Sequence, residues 1–267
     1  MAERRVVRAV IIGASGRMGR AIADVATRDG EIRIVGAIVS PDSANVGREF
    51  VAGIKLGADL DDALRAADVA LDFSRPEAAE SHLEACRKAR KPLLLGTTGL
   101  PSSLDRTLEA AARDIALLVA PNTSVGIAVL VDLVQRAARA LPRDFDVEIS
   151  EAHHREKRDA PSGTALSLGE TIAGARGETL AARRAPPRDG VRVRQPGEIG
   201  FAVVRAGDIV GEHEVRFAGD GEQLILGHRA TDRGVFARGA IKAAAWLAGQ
   251  PPGRYAMRDV LGLKSTT

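Results

Sequence analysis

Val6-Val-Arg-Ala-Val-Ile-Ile-Gly13-Ala-Ser-Gly16-Arg-Met-Gly19 decides how this chain folds. Val6 to Ile12 is a short, β-branched apolar run, which is how a strand buried on both faces of a parallel sheet reads. The glycines follow with the spacing Gly-x-x-Gly-x-x-Gly, and an amphipathic stretch from Arg17 to Thr27 follows them. Strand, glycine loop and helix in that order form a variant of the dinucleotide-binding fingerprint. Gly13 permits the tight turn, Gly16 lets backbone approach a pyrophosphate, and Gly19 lets the helix pack on the strand. The same glycines can also serve a plain structural turn. Their place after a first strand and before a helix favours the cofactor loop, predicted over Gly13, Ala14, Ser15, Gly16, Arg17 and Met18.

Outward from that loop, strands and helices alternate. Apolar runs at Ile32–Val39, Val69–Phe73, Pro92–Leu95 and Ile115–Val119 predict strands. Helices are expected through Glu77–Ala89, after a favourable Pro76, and over Leu104–Arg113. Such alternation means a Rossmann-type doubly wound parallel sheet, in which ligands bind beyond the carboxyl ends of the strands. Three of those ends are rich in Gly, Ser, Thr or Asn: positions 13–19, Gly96-Thr97-Thr98-Gly99, and Ala120-Pro121-Asn122-Thr123-Ser124. Each alone reads as a turn; together they read as the rim of one site.

The end of the second strand normally carries the carboxylate that holds a ribose 2′-hydroxyl. Here that place is Ser40-Pro41, with Asp42 just beyond. A missing carboxylate removes repulsion against a 2′-phosphate and favours NADPH, with Arg17 and Arg20 as phosphate partners. Asp42 can still serve NADH, so both cofactors stay open.

Gly126–Leu141 is an apolar-striped helix that leaves the first domain. Phe145–Ile149 alternates as a strand does, and Ala165–Ile172 reads as a helix. Ala173–Gly200, rich in Gly, Pro and Arg, is expected to be a loop or lid, with its arginines solvated. Phe201–Arg205, His213–Phe217 and Gln223–His228 read as strands, with a hairpin turn at Gly219-Asp-Gly221. The second domain is therefore expected to be α+β with an open mixed sheet. Helices over Gly234–Leu247 and Met257–Gly262, with no strand after them, are expected to return to the first domain. The predicted organisation is 1–124 with 234–267 for the dinucleotide, and 125–233 for substrate binding and tetramerisation.

Composition narrows the function. The chain has 267 residues, 45% hydrophobic and 27% charged, with a net charge of +3. Near-balanced charge argues against a nucleic-acid partner, and 3% aromatics argues against single-strand stacking platforms. One cysteine, Cys86, makes no internal disulfide, which fits a reducing, cytoplasmic setting. No apolar run approaches the ~18 residues of a membrane helix. The apolar run near the start is broken by Arg8 and Gly13, so it reads as a strand and not a signal peptide.

The chemistry concentrates in Glu151-Ala-His-His-Arg-Glu-Lys157-Arg-Asp-Ala-Pro-Ser162-Gly-Thr164. A helix starting after Ser-Gly-Thr presents free backbone N–H groups and the positive end of its dipole, which suits phosphate or carboxylate. Lys157 can reach the same anion or donate a proton, and His153 and His154 titrate near neutrality. Adjacent histidines on an extended segment face opposite ways. Two histidines and Glu156 match no common zinc spacing, so no metal is expected. His82 reads as a surface residue, Cys86 as a core residue, and His213 and His228 as structural.

These residues resemble the signature of the 4-hydroxy-tetrahydrodipicolinate (dihydrodipicolinate) reductase family of lysine and diaminopimelate biosynthesis. The resemblance extends to the 13–19 loop, Asp72-Phe-Ser-Arg-Pro76, Gly96-Thr-Thr-Gly99, Asn122-Thr-Ser-Val-Gly126, Gly200–His213 and Met257-Arg-Asp-Val-Leu261. It implies hydride transfer from NADH or NADPH to a cyclic dicarboxylate with a conjugated C=N–C=C system. It implies acid–base roles for His153 and Lys157, with Lys157 the proton donor. It places substrate carboxylates at Ser162, Gly163 and Thr164, with His154 and Arg233 nearby. It places the cofactor along residues 13–18, Gly96, Thr97, Thr98, Ala120, Pro121, Asn122 and Thr123, with Ser40 standing where the family has an acidic residue. It implies a homotetramer built through second-domain sheets. Two other readings remain: a non-catalytic dinucleotide sensor, which has no use for this constellation, and another imine or amino-acid dehydrogenase on the same fold, which would keep the glycine loop alone.

Overall fold

β1 (Val7–Ile12) is buried along its last four residues, and α1 (Arg17–Asp29) follows the glycine loop. This computed structural model describes residues 6–187 and 189–263. Residues 1–5 and 264–267 of the expected domain ranges, and Arg188 of the arginine-rich segment, lie outside the described residues. β2 (Ile32–Ile38) runs parallel to β1. Between them and the next long strand lie elements too short to show a period: a hairpin of β3 (Glu49–Val51) and β4 (Ile54–Gly57), and α2 (Leu60–Ala66), capped by Asp59. Then come β5 (Val69–Asp72), a 3₁₀ turn at Pro76–Ala78, α3 (Ala79–Lys88), β6 (Leu93–Leu95), α4 (Asp105–Ala112) and β7 (Ala116–Val119).

α5 (Val125–Ala140) leads to β8 (Asp146–His153), α6 (Gly163–Ala175), α7 (Leu180–Arg183), β9 (Ile199–Arg205), β10 (Gly211–Gly219) and β11 (Glu222–Ala230). α8 (Gly234–Leu247), β12 (Gly253–Tyr255) and α9 (Met257–Val260) complete the described chain. Two compact units result. Residues 6–125 and 234–263 form one, and residues 126–233 form the other.

The first unit holds an eight-stranded sheet in the order β12-β7-β6-β5-β1-β2-β4-β3, parallel except for the β3–β4 hairpin. Strand order reverses between β1 and β5, the place where open α/β sheets form a ligand crevice. β6 and β7 are wholly apolar: Leu93, Leu94, Leu95, Leu117 and Leu118 are each 0% exposed. Full burial of such a side chain contributes about 1.5–3 kcal/mol, so this sheet forms a core with few aromatics. A strand does follow α8, contrary to the expectation. Gly253–Tyr255 pairs with Ala116–Leu118, and its three residues, Gly-Arg-Tyr, hold no apolar run to announce it.

The second unit holds a four-stranded sheet in the order β11-β10-β8-β9, with β8–β9 parallel and the other pairs antiparallel. Ile127, Leu130 and Val134 of α5 and Leu168 and Ile172 of α6 pack with Val147, Ile149, Val215 and Phe217 of the sheet. Two expectations are corrected here. β8 extends through Glu151 and His153 instead of ending at Ile149. Its apolar alternation is carried on by a buried carboxylate and imidazole, which a hydrophobicity pattern cannot see. The segment 173–200 is also more ordered than a solvated loop. It contains the end of α6, α7 and the start of β9, and its Arg194 pairs with Glu148 and Asp146 while Arg176 is buried.

Candidate active site

In the first unit, the loop after β1 is shaped by close approach. Gly13 has φ +79°, and a Cβ there would lie 2.6 Å from the Phe73 carbonyl oxygen. Gly16 precedes α1 with no side-chain cap, so the first-turn N–H groups of α1 remain available to a pyrophosphate. A cleft of about 1580 Å³ is lined by Gly13, Ser15, Gly16, Ser40, Asp42 and Ser74, among others. An uncapped helix N-terminus behind a bare backbone loop fits a nicotinamide dinucleotide. Arg20 turns its Nε back onto the Ser15 carbonyl oxygen at 3.1 Å, whereas Arg17 is exposed.

The other two rims are partly committed to structure. Thr97 is 4% exposed and its hydroxyl lies 3.4 Å from the Asp72 carboxylate; Thr98 is exposed. Thr123 donates to the Phe236 carbonyl oxygen at 2.7 Å, and Asn122 Oδ1 accepts from the Ser124 N–H at 2.9 Å. Ala120 is buried and Pro121 exposed. Asp72 is 0% exposed and is met by His82 Nδ1 at 2.9 Å and by the Ser74 N–H at 2.9 Å. His82, expected at the surface, is therefore a partner of a buried carboxylate and lines the cleft. Its helical position shows exposure by period but not its partner ten residues back.

In the second unit, the covered face of the sheet changes character along β8. Val147 and Ile149 are apolar; Glu151 and His153, next on the same face, are polar and buried. Glu151 Oε2 meets His153 Nδ1 at 2.5 Å, and Oε1 accepts the Ser162 N–H at 3.0 Å. Arg205, opposite His153 in the β8–β9 register, grips both oxygens of Glu151 at 2.8 and 2.7 Å. His213, opposite Glu151 on β10, places Nε2 3.1 Å from Ser162 Oγ. Its ring meets that of His153 edge-on at 5.1 Å.

Ser162 caps α6, its Oγ accepting from the Ala165 N–H at 3.2 Å. It is thus fully engaged within the protein. Gly163 is exposed at the same helix start, and Thr164 is half-buried. Lys157 is held by Asp159 at 2.8 Å. His154 accepts the Lys157 N–H on its carbonyl oxygen, which closes the turn between strand and helix. Arg233 is exposed after β11. The fold therefore clusters His153, Lys157 and Ser162, and adds Glu151, Arg205 and His213, which the sequence alone does not assign to the site. Arg205 lies 54 positions from Glu151 along the chain, and His213 lies 51 from Ser162. No local signal links residues so far apart; only pairing in the sheet joins them.

Electrostatics follow from that packing. Burial pushes Glu151 up, but hydrogen bonds from Arg205, His153 and the Ser162 N–H hold it below the ordinary carboxylate value. Burial lowers His153, against the hydrogen bond and charge of Glu151, so it is a neutral imidazole near pH 7. Burial pushes His213 down to about 4, with the charge of His153 acting the same way. Burial raises Asp159, yet its hydrogen bond to Lys157 leaves it lowered.

Comparison with known proteins gives these sites a context. The family model for dihydrodipicolinate reductase, N-terminus, matches residues 7–123, and that for the C-terminus matches residues 126–261. The chain belongs to the dihydrodipicolinate reductase family. A 4-hydroxy-tetrahydrodipicolinate reductase of Thiobacillus denitrificans is 46% identical over 265 residues, 97% of this chain and 99% of the relative. One from Alkalilimnicola ehrlichii is 48% identical over 266 residues, 96% of this chain and 99% of the relative. A dipicolinate-bound dihydrodipicolinate reductase from Paenisporosarcina sp. TG-14 shares the fold, with a TM-score of 0.77, 23% identity, and coverage of 94% of this chain and 98% of that one. Within the dihydrodipicolinate reductase family match, the N-terminal part holds the glycine loop and the C-terminal part holds both β8 and α6.

Proposed function

We propose that Lys157 and His153 serve the proton side of the reaction while the N-terminus of α6 holds a substrate carboxylate. As a member of its family, this chain is an NADH- or NADPH-dependent oxidoreductase that reduces 4-hydroxy-tetrahydrodipicolinate to tetrahydrodipicolinate in lysine and diaminopimelate biosynthesis. The observation that carries the residue assignment is the gathering of an ion-paired lysine, a neutral imidazole and a capped helix start at the end of β8.

The reduced nicotinamide, when bound along residues 13–18 and the rims at 96–98 and 120–123, supplies the hydride. Hydride addition at the electron-poor end of a C=N–C=C system develops charge at its other end. A lysine placed there stabilises that charge and delivers the proton. Gly163 and Thr164 stand where the carboxylate meets the helix start, Gly163 with the N–H that Asp159 now holds and Thr164 with its hydroxyl, and His154 and Arg233 add positive or polar contacts around it. Ser162 supports this anion site as the cap of the helix rather than through its own N–H, which Glu151 already takes. Asp159 must release Lys157 for the lysine to meet substrate, so the ion pair is the contact that substrate replaces.

Ser40 supports NADPH over NADH, because no carboxylate stands at the end of β2 to repel a 2′-phosphate; Asp42, which lines the cleft, is the residue that would support NADH. The resemblance also supports a homotetramer and a cytoplasmic setting; no helix among the described residues is long and apolar enough to cross a membrane.

A coupled assay tests the assignment. The cyclic product of pyruvate and aspartate semialdehyde is generated by its synthase, and nicotinamide absorbance is followed with NADH and NADPH separately. Rapid oxidation is expected, faster with NADPH. Oxidation with neither, in protein that still binds both, would overturn the reading in favour of a sensor or another imine substrate.

A further inference from the structure

We infer that Glu151, clamped by Arg205, is a positioning residue that fixes the tautomer of His153 and ties its orientation to the start of the substrate-binding helix. This rests on the reading of His153 as an acid–base residue. The geometry has three parts. The 2.5 Å contact to Glu151 places the imidazole hydrogen on Nδ1, because a carboxylate accepts and does not donate. That leaves the lone pair on Nε2. A Cβ on Gly211 would come within 3.2 Å of Nε2, so the residue at this position on β10 leaves that nitrogen room.

Glu151 cannot turn away. It is 2% exposed, and Arg205 holds both its oxygens in a bidentate pair, the arrangement with the most fixed geometry among ion pairs. Arg205 is itself tied to the Asp159 carbonyl oxygen at 2.6 Å. The same carboxylate takes the Ser162 N–H, so one group sets both the imidazole and the first residue of the anion site. A buried ion pair used only for stability would need no imidazole on its second oxygen. The groups that face His153 are Glu151 on its own strand, Arg205 on β9, His213 on β10 and Lys157 in the turn.

The test uses the full chain labelled with ¹⁵N-histidine, with Glu151→Gln as the main variant. Wild-type His153 should show the Nδ1–H tautomer in long-range ¹H–¹⁵N spectra, and Glu151→Gln should mix the two tautomers. The variant should lose roughly 10²-fold in kcat, the scale of a misdirected proton transfer, while NADPH Kd stays unchanged. Its acid limb in the kcat profile should move to lower pH, because the raising influence of Glu151 on His153 is gone. A wild-type Nε2–H tautomer, or an unchanged tautomer and limb in the variant, would overturn the inference. If Glu151→Gln does not fold, Glu151→Asp and Arg205→Lys are read by the same spectra. His153→Asn separates the two readings. Wild-type kcat there would remove His153 from catalysis, whereas the tautomer result stands without it.

Discussion

At the scale of single residues, charge placement makes the sharpest predictions. Lys157 stands ion-paired to Asp159 in the turn between β8 and α6. Lys157→Ala should lower kcat by roughly 10²–10⁴-fold, the range for a lost proton donor, with nicotinamide fluorescence titration giving the same cofactor Kd. Near-wild-type turnover would end its role. The histidines predict a pH dependence of stability. Burial holds His213 at about 4 against 6.5 in the unfolded chain, and burial also lowers His153. Below pH 6.5 the unfolded chain takes up protons that the folded chain refuses, so this contribution is complete above about 6.5 and is lost as pH falls toward 4. For His213 alone the loss is on the order of 3 kcal/mol. Glu151, held low, acts in the same direction at still lower pH: its contribution is present above 4.5 and lost below. Urea unfolding of wild type should therefore weaken steadily from about pH 7 to about pH 4, and His213→Gln should flatten that slope. Equal slopes in the two proteins would refute the assignment.

At the scale of elements, α6 links the fold to the site. Ser162→Ala removes the hydroxyl that accepts from the Ala165 N–H, a loss of about 1 kcal/mol in unfolding free energy for a helix cap. It also strips His213 Nε2 of its 3.1 Å contact. Denaturation midpoints would report the loss, and an unchanged midpoint would show that the cap is not needed. Thr164→Val, two residues on, should instead raise the KM for the dicarboxylate with kcat nearly kept, because it removes the hydroxyl assigned to the bound carboxylate while keeping the backbone N–H. An unchanged KM would take Thr164 out of the site. These elements are legible in the sequence to different degrees. The long apolar runs of β1, β2, β5 and α8 announce themselves, because burial on a regular period is a local property of sequence. β3, β4, α2 and β12 do not, since they are short and mix polar residues or glycine with the apolar ones, leaving no apolar run to read. The end of β8 reads as loop because Glu151 and His153 are polar. What buries them is Arg205 and His213, brought alongside by pairing with β9 and β10. The Pro-Ser-Gly-Thr turn and the lysine are visible as residue types. The role of the carboxylate that organises them is not, because a glutamate at a strand end looks like any solvated one until its partners are in place.

At the scale of the whole molecule, each unit closes its own core, yet the second leaves apolar surface uncovered. Along β9 and β11 the side chains alternate between the face packed by α5 and α6 and the opposite face. Val204, paired with Ala152, and Ile225, paired with Arg216, belong to the opposite face and are 51% and 47% exposed. β9 and β11 are also the two edges of this sheet, and open edges with apolar neighbours invite another chain. A symmetric assembly buries the same patch on every copy, so one substitution acts several times at once. The double variant Val204→Glu with Ile225→Glu puts carboxylates on that face at each contact. Light scattering after size exclusion should give four chains per particle for the wild type and two or one for the variant. The cofactor loop lies wholly in the other unit, so NADPH Kd should be unchanged, which separates lost assembly from lost folding. A wild type that elutes as a single chain would show that this face remains open to water. A variant that stays tetrameric would move the contact elsewhere on the second unit.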